Sequence, residues 1–414
     1  MKPAPLMRVL QTSLRRRVRA PKYRFNSVPA PDRRQLLVDV SVIISHDART
    51  GIQRVVRALL GQLVESAGPR FTVQPVFASR DHGYCRAVLT EDGRLDNASG
   101  KSDVLQPVAV RRGDVFLGLD LAAHLVPHLE GDLARWRREG VQVCFLVYDL
   151  LPLHHPEWFP RPTARKIDRW LEVLRRQADQ CICISNVVAG DLSRELSARG
   201  SGSLPKITTL PLGSDLTASY PSLGMPIDVG SLRSWMQRHR VVLSVGTVEP
   251  RKGHQELLAA LEKHWIEVPA DDVALLIVGR PGWKTEALQE RIRSHPENGK
   301  RLLWLGAASD ELLLETYAGV AGLVAASHAE GFGLPLIEAF AHGAPVLARD
   351  IPVFREIGGP HFDYFDDDAP AAFNARLQAW IRNNKRPPEQ VVAALPRWAD
   401  SAKVLMRELN LVVE

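Results

Sequence analysis

Short apolar runs recur along this chain in two series, and stretches with helical spacing separate them. The first series comprises Gln35–Ser41, Phe71–Phe77, Asp114–Leu119, Val141–Val147 and Gln180–Ile184. The second comprises Arg238–Val245, Ala274–Val278, Leu302–Leu305, Gly322–Ala326 and Pro345–Leu347. Runs that are apolar throughout, rather than alternating, belong to strands buried on both faces. Strands of that kind joined by helices make a parallel sheet covered on each side. Gly51–Leu60 opens one such helix, with Val55, Val56, Leu59, Leu60 and Leu63 as its inward face.

At 414 residues the chain is too long for one ordinary core and is expected to form about two domains. The break falls after Leu210–Gly213, in a stretch rich in Ser, Pro and Gly. The expected organisation is a basic N-terminal extension (1–34), a first Rossmann-like domain (35–215), a linker (216–237), a second such domain (238–392) and a C-terminal helix (393–414). Two doubly wound α/β domains of this kind take ligands between the carboxyl ends of their sheets.

Composition narrows the function classes. Cys85, Cys144, Cys181 and Cys183 form no disulfide framework, and no Cys-x-x-Cys pair suggests zinc. Cys181 and Cys183 alternate with isoleucines, as strand residues do. The expected compartment is the reducing cytosol. No run of about eighteen apolar residues would span a membrane, and no apolar segment follows the N-terminal charges as a signal peptide requires. Between Met1 and Pro31 there are eight basic residues and no acid, with Leu6, Leu10, Leu14 and Val18 every four positions. Such a segment suits the anionic cytoplasmic face of an inner membrane, and suits equally a basic tail with no specific partner. No interleaved aromatic and basic pattern points to nucleic acid.

The chemistry concentrates in Glu330-Gly331-Phe332-Gly333-Leu334-Pro335-Leu336-Ile337-Glu338. It follows an apolar run, turns on two glycines and starts a helix at Pro335, where a missing N–H costs nothing. The free N–H groups of a helix's first turn make an anion site suited to a diphosphate. Carboxylates beside such a site need hydroxyl donors, which sugar and ribose supply. A second strand–turn–helix segment, Val245 to Gly253, carries Arg251 and Lys252. At a strand's carboxyl end these two would neutralise a diphosphate leaving group.

Together these residues resemble the retaining glycosyltransferases of family 4, which have the GT-B fold and a Glu-x7-Glu signature around Gly-Phe-Gly-Leu-Pro. The resemblance runs from about Leu36 onward and is strongest from Leu243 to Gly358. It implies that Glu330 holds hydroxyls of the transferred sugar and Glu338 the ribose. It implies a donor site from Gly331, Phe332, Gly333 and Leu334, from Arg251 and Lys252, and from Gly279 in a Gly-x-x-Gly-Trp loop. Ala307 would lie where backbone meets the base, and Gly51 and Gln53 where a glycine loop nears the phosphates. It implies that the last helix crosses back to the first domain. The chain departs from the family twice. Thr247 stands where an arginine is common, leaving Arg251 to compensate, and Tyr148 stands where many relatives have a histidine beside the sugar. Tyr cannot titrate near neutrality, so Asp149 is the polar group expected to act at that edge.

The resemblance is greatest to bacterial mannosyltransferases of capsule, O-antigen or exopolysaccharide assembly. It implies a GDP-mannose donor, with UDP-sugars and dTDP-rhamnose open, and a glycan acceptor carried on a polyprenyl diphosphate. With Glu330, Lys252, Arg251 and Asp149 as catalytic groups, the reaction would retain anomeric configuration by front-face attack. No cofactor or metal is expected, the nucleotide-sugar being a substrate. Asp366-Asp367-Asp368 mimics a metal-binding Asp-x-Asp but reads as a solvated turn beside Pro370. Two other readings use the same crevice: a nucleotide-sugar epimerase of GT-B fold, and a non-catalytic nucleotide-sugar-binding scaffold.

Overall fold

In the computed structural model, residues 33–79, 81–90, 93–97, 105–216, 224–226, 229–366 and 370–412 are described. The basic N-terminal segment lies outside them, as do Asp367 and Asp368. Two sheets dominate. The first has eight strands: β1 (Arg34–Asp39), β2 (Phe71–Ser79), β3 (Gly83–Leu89), β4 (Leu95–Asn97), β5 (Val115–Gly118), β6 (Gln142–Val147), β7 (Gln180–Cys183) and β8 (Lys206–Thr209). Their order is β4-β3-β2-β1-β5-β6-β7-β8, parallel except for the antiparallel β2–β3 and β3–β4 pairs. The second has six: β9 (Arg240–Val245), β10 (Val273–Val278), β11 (Leu302–Leu305), β12 (Gly322–Ala325), β13 (Val346–Arg349) and β14 (Asp363–Phe365). Its order is β11-β10-β9-β12-β13-β14, all parallel.

The apolar runs explain this arrangement. On β10, Ala274, Leu276 and Val278 enter one core, while Val273, Leu275 and Ile277 enter another across the sheet. A strand with two dry faces needs helices on both sides, and two parallel-stranded sheets covered in this way make a two-domain α/β architecture. Each of the valines, leucines and isoleucine of β10, buried from water, contributes about 1.5–3 kcal/mol.

Several elements differ from expectation. β1 stops at Asp39, because Ser41 N donates to the Asp39 carboxylate at 2.9 Å and opens a short helix, Ser41–Ser45. The β3–β4 hairpin, β8 and β14 had no clear apolar signal. The end of the expected linker (216–237) is helical instead: the helix Gly230–Arg238 buries Leu232 and Trp235 in the second domain's core.

The last helix, Trp398–Glu408, crosses back and buries Trp398, Leu405 and Met406 in the first domain's core. The two segments that pass between domains run side by side. Ser214 N donates to Pro396 O at 3.0 Å, and Trp398 N donates to Asp215 Oδ1 at 2.8 Å. A Cβ on Gly213 would fall 2.3 Å from Trp398 N, so only glycine allows that approach.

Candidate active site

Both sheets point their carboxyl ends at one cleft. From the second domain, the turn after β12 carries Glu330 and the turn after β9 carries Glu249, Arg251 and Lys252. Glu330 is the centre of this group. Its Oε2 accepts from Arg251 Nη1 at 2.5 Å, and its Oε1 accepts from Lys252 Nζ at 2.5 Å and from Ser327 Oγ at 2.9 Å. Burial pushes the Glu330 carboxyl up, but Arg251 and Lys252 outweigh burial and hold it at about 2. Arg251 also pairs with Glu249 at 2.9 Å and donates to Ala329 O at 3.0 Å. Burial raises the Glu249 and Asp149 carboxyls above their ordinary values, against the pull of Arg251.

The first domain supplies Asp149 at the end of β6, within electrostatic range of Arg251, Lys252 and Glu330. The domains touch through backbone here. A Cβ on Gly331 would sit 2.2 Å from Tyr148 O, so Gly331 is the residue that lets the second domain's turn slide under the first domain's edge. Ser185 Oγ donates to Gly331 O at 2.8 Å. Phe332 and Leu334 pack into the first domain's core. Gly333, at φ +115, starts the helix Leu334–Ala341, which no side chain caps. Gly51 opens the facing helix, Gly51–Ser66, and a Cβ there would lie 4.0 Å from Leu334 Cδ1. Two helix N-termini therefore adjoin across the cleft.

Glu338 is more deeply buried, and its partners differ. It accepts from Tyr317 OH at 3.0 Å and from Arg54 Nη1 at 2.7 Å. Arg54 belongs to the first domain's Gly51–Ser66 helix, and its other nitrogen reaches Asp310 at 2.8 Å. Burial leaves the Glu338 carboxyl above its ordinary value despite Arg54. Asp310 opens the helix Asp310–Gly319, just after the exposed Ala307. Gly279 is required where two turns touch, since its Cβ would lie 1.7 Å from Gly246 O. Thr247 packs in that contact, with Cγ2 2.9 Å from where a Gly282 Cβ would be.

Two expected donor-site side chains turn away. Tyr148 is 2% exposed, and its hydroxyl donates to Leu119 O at 2.8 Å inside the first domain. Gln53 is buried as a helix cap: its Oε1 accepts from Thr50 N at 3.2 Å, and its Nε2 donates to His46 O at 2.6 Å. Neither side chain reaches the cleft. Sequence reasoning passed over Arg54, Tyr317 and Asp310, and it passed over Glu356, which accepts from Asn186 N at 2.7 Å across the domains. Only Arg54 had a signal, its place one turn after Gly51. Among the described residues, no cluster of three or more His, Cys, Asp or Glu could hold a metal ion, and no helix is long and apolar enough to cross a membrane.

Comparison with known proteins bears on the fold and the family. Residues 234–394 match the family model of glycosyl transferases group 1. The chain is 39% identical over 386 residues to the serotype-specific mannosyltransferase WbdA of Escherichia coli, a match covering 92% of this chain and 47% of that protein. It thus spans about half the length of these curated relatives. It is 28% identical over 207 residues to the O-antigen chain mannosyltransferase B of Escherichia coli, covering 49% of this chain and 52% of that one. Among solved structures, sucrose-phosphate synthase from Thermosynechococcus elongatus superimposes with a TM-score of 0.65 at 19% identity, covering 91% of this chain and 98% of that one. Anabaena HepE, solved in complex with UDP and glucose, gives 0.55 at 15% identity, covering 91% and 95%. The chain carries a glycosyl transferases group 1 domain and has the GT-B fold of these enzymes.

Proposed function

We propose that this chain is a retaining mannosyltransferase that moves mannose from GDP-mannose to a glycan acceptor of a bacterial surface polysaccharide, carried on a lipid diphosphate. The observation that carries the reading is Glu330 clasped by Arg251 and Lys252 at the meeting edge of both domains. Three ionised groups held that closely are ready to exchange partners. An incoming diphosphate takes the two cations, and the released Glu330 accepts hydrogen bonds from sugar hydroxyls. The N–H groups of the uncapped Leu334–Ala341 helix add positive potential toward the same phosphates. As the glycosidic bond breaks, charge grows on the leaving phosphate, and the cations stabilise it without a metal ion.

Retention follows from front-face attack, in which the departing phosphate oxygen takes the acceptor's proton. Asp149 accepts a hydrogen bond from a hydroxyl at the reacting centre. The domains, bridged at Arg54, Ser185 and Glu356, exclude water from the cleft and so limit hydrolysis of the donor. Likeness to the mannosyltransferases supports the choice of sugar. Purified protein incubated with GDP-mannose, UDP-glucose, UDP-galactose, UDP-GlcNAc and dTDP-rhamnose, with and without chelator, tests the reading. Slow, chelator-insensitive hydrolysis of GDP-mannose is expected, lost in Lys252→Ala. Turnover of another donor would replace the sugar. Binding of a donor without turnover, with any acceptor fraction, would favour the scaffold.

A further inference from the structure

We propose that the first domain holds a second anion site, separate from the donor cleft, which takes the phosphoryl groups of the acceptor. The proposal rests on the transferase reading for the word acceptor only. A cavity of about 210 Å³ is lined by Ala123, His124, Pro127, His128, Lys166 and Arg169. It is large enough for several waters, at about 30 Å³ each, and hence for a phosphoryl group.

Its charge is one-sided. Lys166 and Arg169 are three residues apart on the helix Pro162–Gln177, so they share a face. Both are exposed, and neither side chain makes a hydrogen bond or ion pair among the described residues. No acid lines the cavity. Acids of the same helix are engaged elsewhere: Asp168 and Glu172 both pair with Arg199, and Glu172 also with Arg176. The helix is thus neutralised on one side and left cationic on the other.

The position makes this costlier. The first turn of the helix has no acidic residue, yet Arg161, Arg165, Lys166 and Arg169 crowd its N-terminal half. Cations there oppose both one another and the helix dipole. A bound anion relieves both conflicts at once. A solvated basic face would need no cavity and no histidines opposite.

The cavity also sits where an acceptor would enter. Its other wall is the loop after β5 and the short 3-10 turn Val126–Leu129. Leu119, in that loop, accepts from the Tyr148 hydroxyl, so the loop adjoins Asp149 at the sheet's carboxyl edge. The Pro162–Gln177 helix begins just after Trp158 and Phe159, which meet Trp283 of the second domain. The site therefore flanks the cleft on the side of the first domain. A sugar chain on a lipid diphosphate could be held at its charged end here while its other end approaches the donor.

The test uses the full chain with GDP in excess, so that the donor site is filled. Farnesyl diphosphate, inorganic pyrophosphate and farnesol are titrated by calorimetry into wild type, Lys166→Ala/Arg169→Ala, and a charge-matched control, Arg135→Ala/Arg138→Ala. The expected result is farnesyl diphosphate binding that weakens with salt, falls at least tenfold in the first variant and is unchanged in the control. Equal binding in all three proteins would overturn the site. Pyrophosphate binding as tightly as farnesyl diphosphate, with farnesol inert, would overturn the acceptor assignment and leave a site for free phosphate. Donor hydrolysis by the Lys166→Ala/Arg169→Ala variant is expected at the wild-type rate. Hydrolysis absent from wild type would count against the transferase reading, and the titration would still decide the anion site.

Discussion

Glu330 and Glu338 stand eight residues apart on one strand–turn–helix unit, Glu338 buried and the Glu330 side chain only 11% exposed, yet their surroundings push them in opposite directions. Glu330 has two cations from its own domain and stays ionised far below the usual carboxylate range. Glu338 has a tyrosine hydroxyl and one arginine, and that arginine comes from the other domain. Burial wins at Glu338 and loses at Glu330. The difference divides the labour of the site. Glu330 is set up by the second domain alone, whereas Glu338 depends on how the domains meet. Separating the domains would leave Glu338 and Asp310 without their guanidinium and leave Glu330 as it is.

The largest effect should come from Glu330→Gln. The amide keeps the shape but cannot hold Arg251 and Lys252 by charge, and it offers one acceptor instead of two. A fall in kcat of about 10²–10³, or roughly 3–4 kcal/mol, is expected, with the circular dichroism spectrum of the folded protein retained. Glu338→Gln should instead raise KM for the donor and leave kcat within a few-fold. If both variants lost kcat equally, the division between the two carboxylates would fail.

Arg54→Ala comes next. It removes one cation from two carboxylates in a partly buried setting, where the Arg54 side chain is 18% exposed and that of Glu338 3%. Breaking a fully buried pair costs about 3–5 kcal/mol; with this exposure about 2 kcal/mol is expected. Small-angle scattering should show a larger radius of gyration, and Glu338→Gln in the same chain should recover part of the stability. Unchanged scattering and stability would mean that Arg54 does not bridge the domains in solution.

Acid titration of stability separates the same two residues more finely. A carboxyl lowered in the folded state stabilises above its ordinary value, and the benefit is lost as pH falls. For Glu330 that window runs from 4.5 down to about 2. A carboxyl raised in the folded state does the reverse: its contribution is full below 4.5 and is lost as pH rises through the folded value, as for Glu338. Denaturant midpoints of Glu330→Gln should therefore change less than wild type between pH 4.5 and 2. Those of Glu338→Gln should change less above pH 4.5. For Glu330 the expected difference is on the order of 3 kcal/mol, from that window at about 1.4 kcal/mol per pH unit; for Glu338 the sign of the slope is the prediction. A matching slope for both variants would contradict the opposite shifts.

The second domain was more legible in the sequence than the first. Its strands are uninterrupted apolar runs, and its functional groups lie within turns that contain glycine and follow those strands directly. Glu330, Arg251 and Lys252 could be assigned to one crevice before any coordinates, because each sits at a strand's carboxyl end; that they pair with one another comes from the structure. The first domain contributes through reach. Nothing in the Gly51–Leu60 run says that Arg54 crosses to Glu338, since its direction depends on the packing of two domains. The β3–β4 hairpin escaped because its residues mix exposed and buried positions around Arg86 and Val88, unlike the dry strands beside it. Gln53 was read as a phosphate neighbour, but a Thr-x-x-Gln capping box is the stronger local use of that residue.

Tyr148→Phe should have the smallest effect, and it asks whether the first domain's edge acts through side chains or through backbone. The Tyr148 hydroxyl spends itself on Leu119 O, so Phe leaves one buried carbonyl unpaired and should cost about 1 kcal/mol in thermal or denaturant stability. Donor turnover should stay within about twofold, since the carbonyl that meets Gly331 is untouched by the change. A large loss of kcat with normal stability would show that the ring swings into the cleft with donor bound. The first domain's edge would then act through the Tyr148 side chain as well as through its backbone.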